Sequence, residues 1–169
     1  MGQRTLIPNA GEVVLEELTA EGRDRLIMRL WPAGEESACP ACRRTSRRVH
    51  SWYQRRLSDL PGEGIPLRIE LSVRRFFCDN DECGQRIFTE RLAETAPRYA
   101  RRTQRQSAAL KQIASVLGGA AGSRLAEQLG ILASDSTLLR QLRRSAVADF
   151  SRAPRVVGID DWAWRKGHR

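Results

Sequence analysis

Four cysteines, Cys39, Cys42, Cys78 and Cys83, are the residues of this chain whose spacing suggests chemistry. They fall as a C-x2-C pair, 35 intervening residues and a C-x4-C pair. Each close pair can present two thiolates from one tight turn, and a folded segment between the pairs can bring the turns together. That is the pattern of a tetrahedral Zn²⁺ site. Four thiolates would close the coordination sphere and leave no position for a reacting water, so the expected metal is structural. Arg43, Arg44, Arg74 and Arg75 lie close in sequence and are expected to offset the negative sulfurs. Two other readings stay open, disulfides and free core thiols. The polar start Met1-Gly2-Gln3-Arg4 carries no secretory signal that would favour disulfides. His50 and His168 stand apart from the cysteine spacing, and His50 reads as a strand residue.

The elements around the cysteines read as β. Residues 12–31 suggest a hairpin, with Val13, Val14, Leu15 and Leu18 before a Glu21-Gly22 turn and Leu26, Ile27, Met28, Leu30 and Trp31 after it. Residues 49–57 form a further strand candidate. Leu67, Ile69, Leu71 and Val73 alternate with Arg68, Glu70 and Ser72, the period-two signature of a half-buried strand. Pro61 to Gly64 is the expected loop between them, and Ile87-Phe88 a short last strand. Trp52 and Tyr53 are read first as core, with base stacking as the second reading.

Helical signals begin after Thr95-Ala96-Pro97. Thr103 and Gln106 are spaced as a capping box, and Leu110, Ile113, Ala114 and Leu117 follow at helical spacing up to Gly118-Gly119. A second helix is expected over 121–129, with Leu125, Ala126 and Leu129 inward and Gly130 as cap. A third starts near Ser134 or Ser136, with Leu138, Leu139, Leu142 and Ala146 on one side and Thr137, Arg140, Gln141 and Arg144 on another. Helix, turn, helix with a small Ala126 before Gly130 is the pattern of a helix-turn-helix, whose last helix enters the DNA major groove. An ordinary three-helix bundle with a basic face is the alternative. Residues 155–162 read as an apolar strand ending in Asp160-Asp161.

Charge and length bound the function. The 169 residues suit one or two small domains. A net charge of +9 and a pI of about 10.6 favour a polyanion as partner. The charge is clustered: residues 43–56 hold six arginines and no acid, and 98–111 hold Arg98, Arg101, Arg102, Arg105 and Lys111 and no acid. No apolar run approaches the roughly 18 residues of a membrane span. The expected partner is double-stranded DNA, with no membrane and no small-molecule substrate, in the cytoplasm and nucleoid-associated. Thr137, Arg140, Gln141, Arg144, Arg101, Arg102 and Arg105 are the candidate DNA contacts.

Together the motifs resemble a family. Cys39-Pro40-Ala41-Cys42, Arg47-Arg48-Val49-His50-Ser51, Leu57-x-Asp59-Leu60-Pro61, Arg74-Arg75-Phe76-Phe77-Cys78, Ile87-Phe88-Thr89-Glu90-Arg91 and Ser136-Thr137-Leu138-Leu139-Arg140 resemble the N-terminal half of bacterial insertion-sequence transposases of the ISL-three family. The run from Gly158 to His168 looks like the opening of that family's DDE catalytic domain. The resemblance implies an α+β chain. Its expected parts are a hairpin segment (1–37), a four-cysteine zinc-binding β domain (38–92), a helix-turn-helix domain (95–150) and the start of an RNase H-like DDE domain (154–169). It implies recognition of terminal inverted repeats in DNA transposition. Asp160 matches the first catalytic acid, whose Mg²⁺ chemistry needs the further acids of a full-length parent. The expectation is therefore a truncated recognition half. Three further roles stay open: a regulator of, or partner to, full-length transposase or itself; an inert remnant; and one part of an active enzyme completed by a second polypeptide. A zinc-stapled protein-interaction module is the bland alternative.

Overall fold

The computed structural model describes residues 6–145, and the expectations for Ala146, Asp160, Asp161, His168 and the strand at 155–162 lie outside these residues. Strands β1 (Val13–Ala20) and β2 (Leu26–Pro32) form the expected antiparallel hairpin. Gly22 supplies the positive φ of 67° in its turn. Strands β5 (Val49–Gly62) and β6 (Ile65–Phe77) pair antiparallel along nearly their whole length. The connection is tighter than the expected loop over 61–64. A register shift between Asp59 and Gly62 carries β5 past Pro61, and the turn is Glu63-Gly64, both at positive φ (50° and 80°). Two left-handed residues in succession match the right-handed twist of the flanking strands, which is why so short a turn suffices.

Strand β2 pairs parallel to β6, Leu26 opposite Leu67 through Leu30 opposite Leu71. Strand β7 (Ile87–Thr89) pairs antiparallel with the end of β6. The sheet order is β1-β2-β6-β5, with β7 also on β6. The residues on either side of the expected division at 37/38 thus share one sheet. The reason is burial: the inward side chains of the hairpin and of β6 need one another. Val13, Met28, Leu30, Leu57, Leu67, Ile69, Leu71 and Val73 form a single core, closed by Leu92 and Ala96 from the segment that follows β7. Arg68, Glu70 and Ser72 alternate to the half-exposed face as the period predicts. Two short strands that the sequence pattern does not announce, β3 (Ser37–Ala38) and β4 (Thr45–Ser46), make a separate antiparallel pair around the first two cysteines.

Trp52 departs from its expected place in the core. It is 49% exposed on the outer face of β5, with its ring edge-to-face on Trp31 at 4.9 Å. Tyr53, one residue on, points the other way and packs half-buried on the core. The pleat decides this, since neighbours in a strand face opposite sides.

Helices α1 (Gln104–Leu117), α2 (Ala120–Gln128) and α3 (Asp135–Ser145) follow. Leu110, Ala114, Ala126, Ile131 and Leu138 form their core, with Leu60 of β5 packed against it. Leu129, expected inward, is exposed because α2 ends at Gln128, and Leu117, at helical spacing with the core residues of α1, is exposed as the last residue of that helix. Gly122 of α2 sits against both neighbouring helices: an added Cβ would lie 2.5 Å from Leu138 Cδ2 and 3.3 Å from Ile113 Cγ2. Gly122→Ala should therefore overpack this junction and cost about 1–3 kcal/mol, read as a lowered urea midpoint with unchanged m-value.

The helices are seated on the β5–β6 hairpin by a polar clasp. Asp59, 1% exposed, accepts from Thr103 Oγ1 at 2.5 Å and from Arg105 Nε at 2.8 and 3.0 Å, with Arg105 Nη2 closing the ion pair. Gln106 Nε2 donates to the Asp59 carbonyl at 2.7 Å, and its Oε1 accepts from Ser58 Oγ at 2.7 Å. The capping box is thus only half built. Thr103 Oγ1 accepts from the Gln106 N–H at 3.3 Å, but the Thr103 N–H goes to the Ser58 carbonyl at 3.0 Å instead of to Gln106. Strand β5 competes for both groups and wins.

Candidate zinc centre and basic face

Cys39 and Cys42 lie in the turn between β3 and β4; Cys78 and Cys83 lie in the connection from β6 to β7. Hydrogen bonds across each turn draw the pairs in. In the first, the Cys39 N–H donates to the Arg44 carbonyl at 2.9 Å and the Arg43 N–H to the Cys39 carbonyl at 2.8 Å, with Arg43 held at φ 65°. In the second, the Cys78 N–H donates to the Arg86 carbonyl at 2.8 Å and the Cys83 N–H to the Asn80 carbonyl at 3.1 Å. The two turns face each other over Phe76 and Phe88, whose rings stack at 5.8 Å.

The four sulfurs lie within 4.8 Å of one another, Cys42 to Cys78 at 3.6 Å and Cys39 to Cys83 at 4.0 Å. A tetrahedron of thiolates about 2.3 Å from Zn²⁺ has sulfur–sulfur edges of about 3.8 Å. Both of these approaches join opposite turns and are far longer than a sulfur–sulfur bond, and the cysteines are free, so the disulfide reading does not hold. The donor set and its spacing fit zinc, with all four positions filled by protein.

Residues 35–86 match the family model described as the zinc-finger of transposase IS204/IS1001/IS1096/IS1165. The match supports an ISL3-type transposase zinc ribbon in this part of the chain. No curated protein and no solved structure matches the chain.

The charge of the ribbon sulfurs is met differently from the sequence expectation. Arg74 turns away to a buried ion pair with Glu90, Nη2 to Oε2 at 2.7 Å, and Arg75 lies over the Tyr53 ring at 5.0 Å. Backbone N–H groups take the expected role. The Arg44 N–H on Cys42 brings that thiol down to about 7. The Gln85 N–H donates to Cys83 Sγ at 3.4 Å. The Asn80 N–H lowers Cys78 too, but burial and the neighbouring thiols outweigh it and push Cys78 up to about 12. Without a cation the cluster resists full ionisation, so zinc uptake near neutral pH must release protons and weaken as pH falls. His50, in β5, stacks edge-to-face on Phe77 at 4.8 Å and stands outside the cysteine cluster.

The second candidate site gathers residues from the segment before α1, from α2 and from α3. Burial first, then the positive charges of Arg140 and Arg101, hold the Arg102 guanidinium below its ordinary value. Three of the seven candidate DNA contacts are therefore electrostatic neighbours, although Arg140 is far from the others in sequence. Arg102 Nε is buried without a hydrogen-bond partner among the described residues. Beside it an open cleft of about 680 Å³ is lined by Arg102, Arg124, Ser134, Thr137 and the acids Glu127 and Asp135. Arg140 and Arg144 are exposed on α3, with Thr137 and Gln141 half-buried. Arg105 is different: its guanidinium is committed to Asp59 and to the Leu6 carbonyl, at 2.7 Å. The sequence marks Arg105 by its place in a basic run but gives no sign of its acidic partner 46 residues earlier.

Proposed function

We propose that this chain binds double-stranded DNA at transposon terminal inverted repeats, as the recognition part of an ISL3-type transposase. The cleft lined by Arg102, Arg124 and Thr137 carries this reading, with Arg101 and Arg140 near enough to disfavour the Arg102 charge. Like charges held together destabilise one another until a polyanion neutralises them, and a DNA backbone does so with release of counterions. The zinc-ribbon match at residues 35–86 supplies the transposase context.

In this reading α2 and α3 act as the helix-turn-helix, with α3 in the major groove. Residues 129–134 connect them, longer than the three- to four-residue turn of the compact motif. Gly130 (φ 80°) and buried Ile131 anchor that connection against the β5–β6 turn and the helical core. Arg140 and Gln141 would read base edges, guanine suiting Arg and adenine suiting Gln, while Arg101, Arg102 and Arg144 would hold phosphates. Zinc would hold the ribbon through Cys39, Cys42, Cys78 and Cys83 and take no part in chemistry. Asp160 lies outside the described residues, and strand cleavage is not assigned to any group here. No helix among the described residues is long and apolar enough to cross a membrane.

Salt dependence tests the electrostatic half of the proposal. Removing one phosphate-binding arginine should flatten the plot of log K against log salt by about 0.9. Arg102→Ala and Arg101→Ala should each reduce the slope by about this amount on any duplex. Arg140→Ala should also relax sequence preference, at a cost of about 1–3 kcal/mol on the preferred site. Unchanged slopes in all three variants would remove this face from the interface.

A further inference from the structure

A second basic surface uses no residue of α3. Strand β7 and the segment 91–99 enclose a groove of about 660 Å³, a volume within the range of small-ligand sites of about 300–1,000 Å³. Arg55, Arg75, Arg91 and Arg98 line it. Among the described residues none of the four is in an ion pair, and the one acid of the lining, Glu90, is consumed by Arg74. Arg55 Nη2 donates to the carbonyls of Pro97 at 3.0 Å and Ala100 at 2.9 Å, which pins the loop without neutralising the charge.

That pinned loop presents Tyr99. Its backbone is left-handed, φ 60°, a region where a bulky aromatic is an outlier. The residue is 80% exposed and belongs to none of the apolar clusters among the described residues. The Arg98 guanidinium lies 4.5 Å over the ring. An aromatic held in an unfavourable backbone state, backed by a cation and offered to solvent, has no role in the fold that would account for it, and such outliers concentrate where ligands bind.

We infer that this groove binds an unpaired stretch of nucleic acid, with a base stacked on Tyr99 and the flanking phosphates on Arg75, Arg91 and Arg98. The combination of a positive groove with an exposed aromatic is what single strands require. A duplex already has its base faces stacked on one another and cannot offer one to Tyr99. The inference stands apart from the duplex reading, which relies on Arg101, Arg102 and Arg140.

The test is an anisotropy titration of the zinc-loaded chain with a labelled oligothymidylate of about ten nucleotides, and in parallel with a duplex. Tyr99→Ala should weaken oligothymidylate binding about 5- to 150-fold, leave the duplex affinity unchanged, and leave Tm unchanged because the ring is exposed. Tyr99→Phe should bind as the parent does. The inference is overturned if the parent does not bind oligothymidylate, if Tyr99→Ala binds it unchanged, if it loses both substrates equally, or if Tyr99→Phe loses as much as Tyr99→Ala. Failure of the duplex reading would show separately, as loss of preference in the duplex arm with the oligothymidylate arm intact.

Discussion

Cys39→Ser is expected to abolish stoichiometric zinc and to lower stability by several kcal/mol, about 10 °C or more in Tm. Structural zinc contributes about 10–16 kcal/mol of apparent binding energy in zinc-finger peptides. The ribbon here has little else to replace it. Strands β3 and β4 are two residues each, and the apolar cluster around the four sulfurs consists of Phe76, Phe88 and the cysteines themselves. Cys39 is fully buried within that cluster, so a hydroxyl there meets neither water nor metal. Removing the metal from the parent protein with a chelator should reproduce the variant's melting curve. Zinc content by atomic emission and a parallel thermal melt decide the matter. A variant that keeps the parent's Tm while losing its metal would show that the ribbon folds without zinc.

Asp59→Ala is the second large effect, about 3–5 kcal/mol, the range for removing one partner of a buried ion pair. The substitution removes the acidic partner of the Arg105 guanidinium, which keeps the Leu6 carbonyl, and leaves the buried Thr103 hydroxyl without its Asp59 acceptor. Arg105 retains some contact with solvent, which places the cost toward the lower end. Asp59→Asn keeps the shape and an acceptor for Thr103, and should lose less. The clasp also seats the start of α1, next to Arg101 and Arg102, so Asp59→Ala should weaken duplex binding without touching DNA. An Asp59→Ala, Arg105→Ala double-mutant cycle by urea denaturation measures the coupling. A coupling near zero would mean that the ion pair is not what joins sheet and helices.

Local patterns in the sequence foretell local structure. The alternation from Leu67 to Val73 specifies both a strand and its buried face, because a period of two has one meaning on a pleat. The cysteine spacing specifies the cluster, because two short turns can only converge in a few ways. Thr103 correctly marks the start of α1. What escapes is long-range. The parallel pairing of β2 with β6 depends on which apolar faces meet, and neither strand's own pattern names its partner. The roles of Arg74 and Arg105 are hidden for the same reason. A run of arginines announces positive charge, but Glu90 and Asp59, which neutralise two of them, become neighbours only through the sheet and through the seating of α1. Residue type alone would put Trp52 in the core, whereas its neighbours in the pleat put it outside. Tyr99 carries no pattern at all; only its backbone conformation and exposure single it out.

One measurement bears most directly on transposon-end recognition. Zinc-loaded protein would be titrated by fluorescence anisotropy against duplexes taken from the ends flanking its own gene, with scrambled duplex of equal length as competitor, at two salt concentrations. The expected result is a preference for the flanking ends of about 10³-fold or more, the lower range for sequence-specific proteins, that persists as salt rises. Equal affinity for both duplexes, falling together with salt, would contradict it and leave a basic surface that binds DNA without reading it.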